Sequence, residues 1–284
     1  MRWILAAFVL VLTSCGERTN DAVRDDGPRI VSLSPAASIM LREAGLEASI
    51  VGRHGWDAVL DQSLPVAGDQ TGIDYERLIG LAPTHVVIEW GERELPPRLV
   101  SLASERSIEV IQIETLTLAD IAASAKLIGA TFDAEGGAPM VFPEPADESR
   151  LAWGSVLLVV ATSPSVDCLG PGSAHHELLL AGGFEPTIAE GAPWMTLSVE
   201  DAIALDPACV VLIQPGGSPD AAAGSIEQRL GPLAGTDITA VRLGRVVLID
   251  DPLALIPSTN LIGLGERMRA RLIDLGPLPS PHDD

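Results

Sequence analysis

Lysine is almost missing from this chain of 284 residues, with Lys126 as the one copy. Lysine and arginine together number 18 against 39 aspartates and glutamates, for a formal charge of −21. A surface that neutralises phosphates needs the opposite balance, so charge argues against a nucleic-acid partner. Aromatics make up only 4% of the chain. No apolar run reaches the ~20 residues that a membrane span requires. Enzyme signatures are absent too. Residues 170–173 read GPGS, which is no G-x-S-x-G nucleophile elbow. Neither G-x-x-x-x-G-K nor H-E-x-x-H occurs. No catalytic residue, metal ligand or cofactor is assigned.

Cysteine is rare, and each copy has its own context. Cys15 stands just past a short apolar run, residues 3–12, which is preceded by Arg2. This reads as a targeting segment, residues 1–14. The sequence Leu12-Thr13-Ser14-Cys15 resembles a bacterial lipoprotein processing site, which implies lipidation of Cys15 and a tether over residues 15–27. Removal of Arg2 leaves 17 basic residues (18 minus 1) against 39 acidic ones, a charge of −22. Cys168 and Cys209 are expected at opposite edges of one sheet. A strand of seven residues spans roughly 23 Å, and a disulfide tolerates a Cα separation of only ~7 Å. No bond between them is expected.

What the chain does contain is one pattern written twice. Residues 73–90 read IDYERLIGLAPTHVVIEW and residues 197–214 read LSVEDAIALDPACVVLIQ, an offset of 124. Asp74 and Ser198 are candidate N-caps. Apolar residues follow at helical spacing. Ala82 and Asp206 precede prolines, which ends each helix. The β-branched runs after them read as strands covered on both faces. The pattern continues outward. Strands are expected at residues 29–33, 49–52, 109–113, 155–161 and 245–250, and helices at 36–44 and 175–181. Alternating strands and helices predict an α/β chain with parallel sheets. The reading is two similar α/β lobes, residues 28–117 and 155–275, with a ligand cleft between them. A helix over residues 118–130 and a Gly/Pro-rich linker to residue 154 join the lobes. Residues 276–284 read as a disordered tail.

Ligands of parallel sheets bind beyond the carboxyl ends of the strands. Trp56 follows an early strand and Trp90 follows the strand of the first copy. Trp194 is expected in a loop before Ser198. Three tryptophans in loops predict an aromatic-lined cleft. Asp57 stands beside Trp56, where it either orients a ligand or caps a turn. His175 and His176 open a helix. Adjacent helical residues point apart, and zinc wants three or four converging ligands, so a helix-start role is favoured. His175 remains a candidate neighbour of a ligand.

Together these segments resemble the periplasmic cobalamin and iron–siderophore binding proteins of ABC importers. The resemblance rests on RIVSLSPAASIMLREAGL, GIDYERLIGLAPTHVVIEW, GPGSAHHELLLAGG, PWMTLSVEDAIALDP and LGRVVLIDDPL, in that order. It implies two lobes joined by a helix and no enzymatic activity. It implies a bulky ligand, a corrinoid first and an iron–siderophore or haem next. Candidate ligand residues are Ser34, Pro35, Trp56, Asp57, Trp90, Trp194 and Met195. Glu76 and Glu200 match the positions that dock on the permease of such importers. The implied partners are that permease and, through Cys15, a membrane, with the protein itself a monomer in the cell envelope. The linker departs from the family's long unbroken helix. A surface lipoprotein that keeps the fold as a partner-binding module is the alternative.

Overall fold

The computed structural model describes residues 27–91, 93–134, 151–215 and 225–279. Cys15, the targeting segment and most of the linker lie outside the described residues. In the first half, strands β1 (Ile30–Ser32), β2 (Ile50–His54), β3 (Val66–Asp69), β4 (Gly72–Ile73), β5 (His85–Glu89) and β6 (Glu109–Ile113) form one sheet in the order β4-β3-β2-β1-β5-β6. Helices α1 (Pro35–Glu43), α2 (Tyr75–Leu81) and α3 (Pro97–Arg106) connect them, and α4 (Leu118–Thr131) leads out.

The second half contributes β7 (Ser155–Ala161), β8 (Val166–Leu169), β9 (Glu185–Pro186), β10 (Trp194–Leu197), β11 (Cys209–Ile213) and β12 (Val246–Ile249). Its sheet runs β10-β8-β7-β11-β12, with β9 beside β7. Helices α5 (Ala174–Ala181), α6 (Val199–Leu205), α7 (Ile226–Leu230), α8 (Thr239–Arg242) and α9 (Leu261–Asp274) surround it.

The two lobes are as expected, but the sheets are mixed rather than parallel. β4 runs antiparallel to β3, and β8 runs antiparallel to both β7 and β10. Trp194 therefore begins an edge strand instead of sitting in a loop. Cys168 lies within β8, opposite Val159, while Cys209 pairs with Val156. Both cysteines are buried and free. Burial raises the Cys168 thiol to about 12.

The sequence repeat is also a backbone repeat. Asp74 accepts the Arg77 amide at 2.9 Å, and Ser198 accepts the Asp201 amide at 3.1 Å. Both helices then end on a residue in the left-handed region, Ala82 at φ 46° and Asp206 at φ 41°. The proline that follows disfavours right-handed continuation. Each repeat helix is also entered from an antiparallel edge strand, β4 or β10.

Helix α4 is about 21 Å long at ~1.5 Å per residue. Its Thr117–Asp120 capping box fixes the start. Ile121 and Ile128 are fully buried in a core that takes side chains from both sheets. The lobes are also joined by hydrogen bonds. The Ala174 amide donates to the Leu116 carbonyl at 2.7 Å, and the Leu118 amide to the Glu177 carboxylate at 2.7 Å. The Ser258 hydroxyl donates to the Ala36 carbonyl at 3.0 Å. These contacts hold the lobe spacing without relying on the linker.

The tail differs from expectation at its start. Arg245 is buried and donates to the carbonyls of Leu275, Gly276 and Pro277, and the Leu278 amide donates to the Ala152 carbonyl. Residues 276–278 are thus tied down.

Candidate functional site between the lobes

A cavity of about 720 Å³ lies between the two sheets. Lobe one supplies the ends of its central strands. Glu89 closes β5, and Glu114, Thr115 and Leu116 follow β6. Lobe two supplies the start of α5, with Ser173 and His175, and the start of β10, with Pro193 and Trp194. This is where an α/β sheet places a ligand.

Glu89 is set in place by two hydroxyls. Ser34 donates to one carboxylate oxygen at 2.7 Å, and Thr115 donates to the other. The Ser34 oxygen also accepts the amides of Ala36 and Ala37 at the start of α1. Its one donor and two acceptor sites are therefore all used. Glu89 retains acceptor capacity, because a carboxylate offers about four lone-pair sites. Asp120, also lining the cavity, accepts the Thr117 amide and hydroxyl. The Glu114 carboxylate has no hydrogen-bond or ion-pair partner among the described residues.

His175 lines the cavity at 5% exposure, and its Nε2–H donates to the Ala254 carbonyl at 2.7 Å. Burial holds its pKa below the usual 6.5, against the opposing pull of that hydrogen bond. The imidazole is neutral and presents no cation to the cavity. A depressed histidine pKa means that the unfolded chain binds more protons, so stability is lost as pH falls through 6.5. A fall from pH 7 to pH 5 is expected to lower the urea midpoint more in the wild type than in His175→Gln. The glutamine amide preserves a donor to Ala254. Equal losses in both proteins would show that this histidine carries none of the pH dependence.

Of the described tryptophans, only Trp194 is among the lining residues, and it is 53% exposed. Trp56 is 67% exposed on the surface of lobe one. Trp90 is half-buried against the lobe-one core. Its Nε1–H donates to the Glu94 carbonyl at 3.0 Å, and the Arg93 guanidinium stacks 4.5 Å from its ring centre. Neither ring lines the cavity. Asp57 is 2% exposed, and its carboxylate accepts the Ser38 hydroxyl at 2.5 Å and the Val59 and Leu60 amides. It supports its own turn. Ser34 acts behind Glu89, and Pro35 opens α1. Met195 packs beneath the loops at Gly170 and Gly191. A Cβ on Gly170 would sit 2.5 Å from the Ala192 carbonyl oxygen, so that approach needs glycine.

Glu76 and Glu200 occupy the first turns of α2 and α6, and both are exposed. Asp201 is consumed by the Ser198 capping box. Neither glutamate has a hydrogen-bond or ion-pair partner among the described residues. Within the same residues, no group of His, Cys, Asp or Glu is gathered to hold a metal ion, and no helix is long and apolar enough to cross a membrane.

The fold recurs in proteins of known structure. The chain resembles the periplasmic vitamin B12 binding protein BtuF of Vibrio cholerae with a TM-score of 0.66 and 17% identity, covering 87% of this chain and 97% of that one. For the periplasmic heme binding protein HutB of the same organism the TM-score is 0.69 at 18% identity, covering 86% and 98%. The chain has the periplasmic solute-binding fold. In sequence it is 25% identical over 201 residues to a vitamin B12-binding protein of Salmonella typhimurium, covering 67% of this chain and 74% of the relative. A vitamin B12-binding protein of Pectobacterium carotovorum is 24% identical over 206 residues, covering 68% and 72%. No protein-family model matches. These relatives are named as binding proteins, not enzymes.

Proposed function

We propose that the chain is the substrate-binding protein of an ABC importer and captures a bulky ligand between its lobes. A corrinoid is the first choice, with haem or an iron–siderophore next. The observation that carries this reading is the interlobe cavity edged by Trp194. Its volume falls in the range of ligand sites, ~300–1,000 Å³. The vitamin B12-binding names of the two sequence relatives favour the corrinoid. Capture requires little closure, because the shared core and the interlobe hydrogen bonds hold the lobes at a set spacing. Delivery follows from docking through Glu76 and Glu200, and the lipid on Cys15 would keep the monomer beside its permease in the cell envelope. Residues 28–117 and 155–275 are the two lobes of this reading. A partner-binding scaffold would not need an open cavity.

The test is a titration followed by tryptophan fluorescence, with cyanocobalamin, haem and a ferric siderophore in parallel. Saturable quenching by one ligand at micromolar concentration or below is the expected result. Failure of all three to bind would favour the scaffold.

A further inference from the structure

We infer that the cavity selects its ligand by charge: it takes a macrocycle whose edge carries hydrogen-bond donors such as amides, and it turns away one edged with carboxylates. This rests on the ligand-binding reading above and narrows the substrate class within it. Among the described residues, three acids line the cavity, Glu89, Glu114 and Asp120, and no arginine or lysine does. The imidazole of His175 is neutral and supplies no counter-charge. The nearest cation in sequence to the lobe-one wall, Arg93, is stacked on Trp90 and is not among the lining residues.

Glu89 and Asp120 are held in place by hydrogen bonds, and all three acids offer acceptors. The hydroxyls of Ser34 and Thr115 hold Glu89 with lone pairs to spare, and Glu114 is unpartnered among the described residues. A carboxylate on the ligand would meet these groups in a partly enclosed space. Like charges brought together at an interface cost several kcal/mol. Amide N–H groups would instead find acceptors already in place. The apolar wall of Leu116, Leu169, Trp194 and Leu255 faces the ring itself and does not discriminate by charge.

The experiment uses matched rings that differ only at their edges. Binding is measured by tryptophan fluorescence for cobinamide against cobyrinic acid, and for haem against its dimethyl ester. The uncharged or amide-edged member of whichever ring binds is expected to bind ~100-fold more tightly. Glu114→Gln should narrow that ratio by about tenfold without loss of folded protein, since the carboxylate supports no internal contact. Glu89→Gln should do the same while keeping acceptance from Ser34 or Thr115. Equal affinity for both members of a binding pair, or a ratio unmoved by both variants, would overturn the charge rule and leave the ligand-binding reading standing. If neither ring binds in either form, this inference falls, and the ligand-binding reading stands only if the ferric siderophore binds.

Discussion

The double variant Glu76→Arg with Glu200→Arg is expected to abolish uptake while leaving ligand affinity nearly unchanged. The two carboxylates occupy the same place in the two copies of the repeat, and both are exposed. Their local role is small. A carboxylate in the first helical turn gains ~0.3–1 kcal/mol from the helix dipole. At α6 the capping is done by Asp201, which accepts the Ser198 amide and hydroxyl and leaves Glu200 without a part in it. The pair is thus free to meet two basic sites on a two-fold permease. Opposite charges there would fix register and speed encounter, and like charges would cost several kcal/mol, so uptake should fall by on the order of 100-fold or more. Neither residue lines the cavity, so the fluorescence titration should return the wild-type affinity. Wild-type uptake in the double variant would leave the helix dipole as the sole role of both residues.

Trp194→Ala is expected to weaken ligand binding by ~30-fold or more, the scale of a buried aromatic anchor worth ~2 kcal/mol. Among the described tryptophans Trp194 alone lines the cavity, and an aromatic face offers a macrocycle a large flat contact. Its half-exposed position means that removal should cost the fold little. Trp56→Ala is the comparison, since that ring is even more available to solvent but lies off the cavity. Isothermal calorimetry on the two variants separates the roles. A larger loss from Trp56 than from Trp194 would move the ligand to the surface of lobe one.

The parts of the fold that were legible in the sequence are those fixed by local chemistry. The N-caps at Asp74 and Ser198, the proline stops after Ala82 and Asp206 and the β-branched runs of β5 and β11 each have a short-range cause. The antiparallel strands were hidden because β8 and β10 are four residues each and acquire their direction from neighbours. Helix α9 was hidden by Gly263 and Gly265, which weaken a helical pattern. Gly265 is there for packing: a Cβ would lie 2.8 Å from Leu178. Residues 276–278 read as part of a tail because the clamp that holds them, Arg245, is 30 or more residues away.

The site was legible in position and not in composition. The rule that ligands meet strand ends points to the edge of lobe one that borders the cavity, where the sequence singles out Trp90. Successive residues at a strand end project to opposite sides, so Glu89 reaches the cavity while Trp90 turns to the Glu94 carbonyl and Arg93. The same rule applied to β6 points to Glu114. His175 was legible only as a neighbour of a ligand, because its burial and its bond to Ala254 depend on a loop 79 residues away.

A crystal structure of the protein with cyanocobalamin tests the central claim most directly. The expected result is the corrin ring between the lobes, one face against Trp194 and its amide edge within hydrogen-bond distance of Glu89 or Glu114. A corrinoid bound on an outer face, with the interlobe cavity left to solvent, would contradict it.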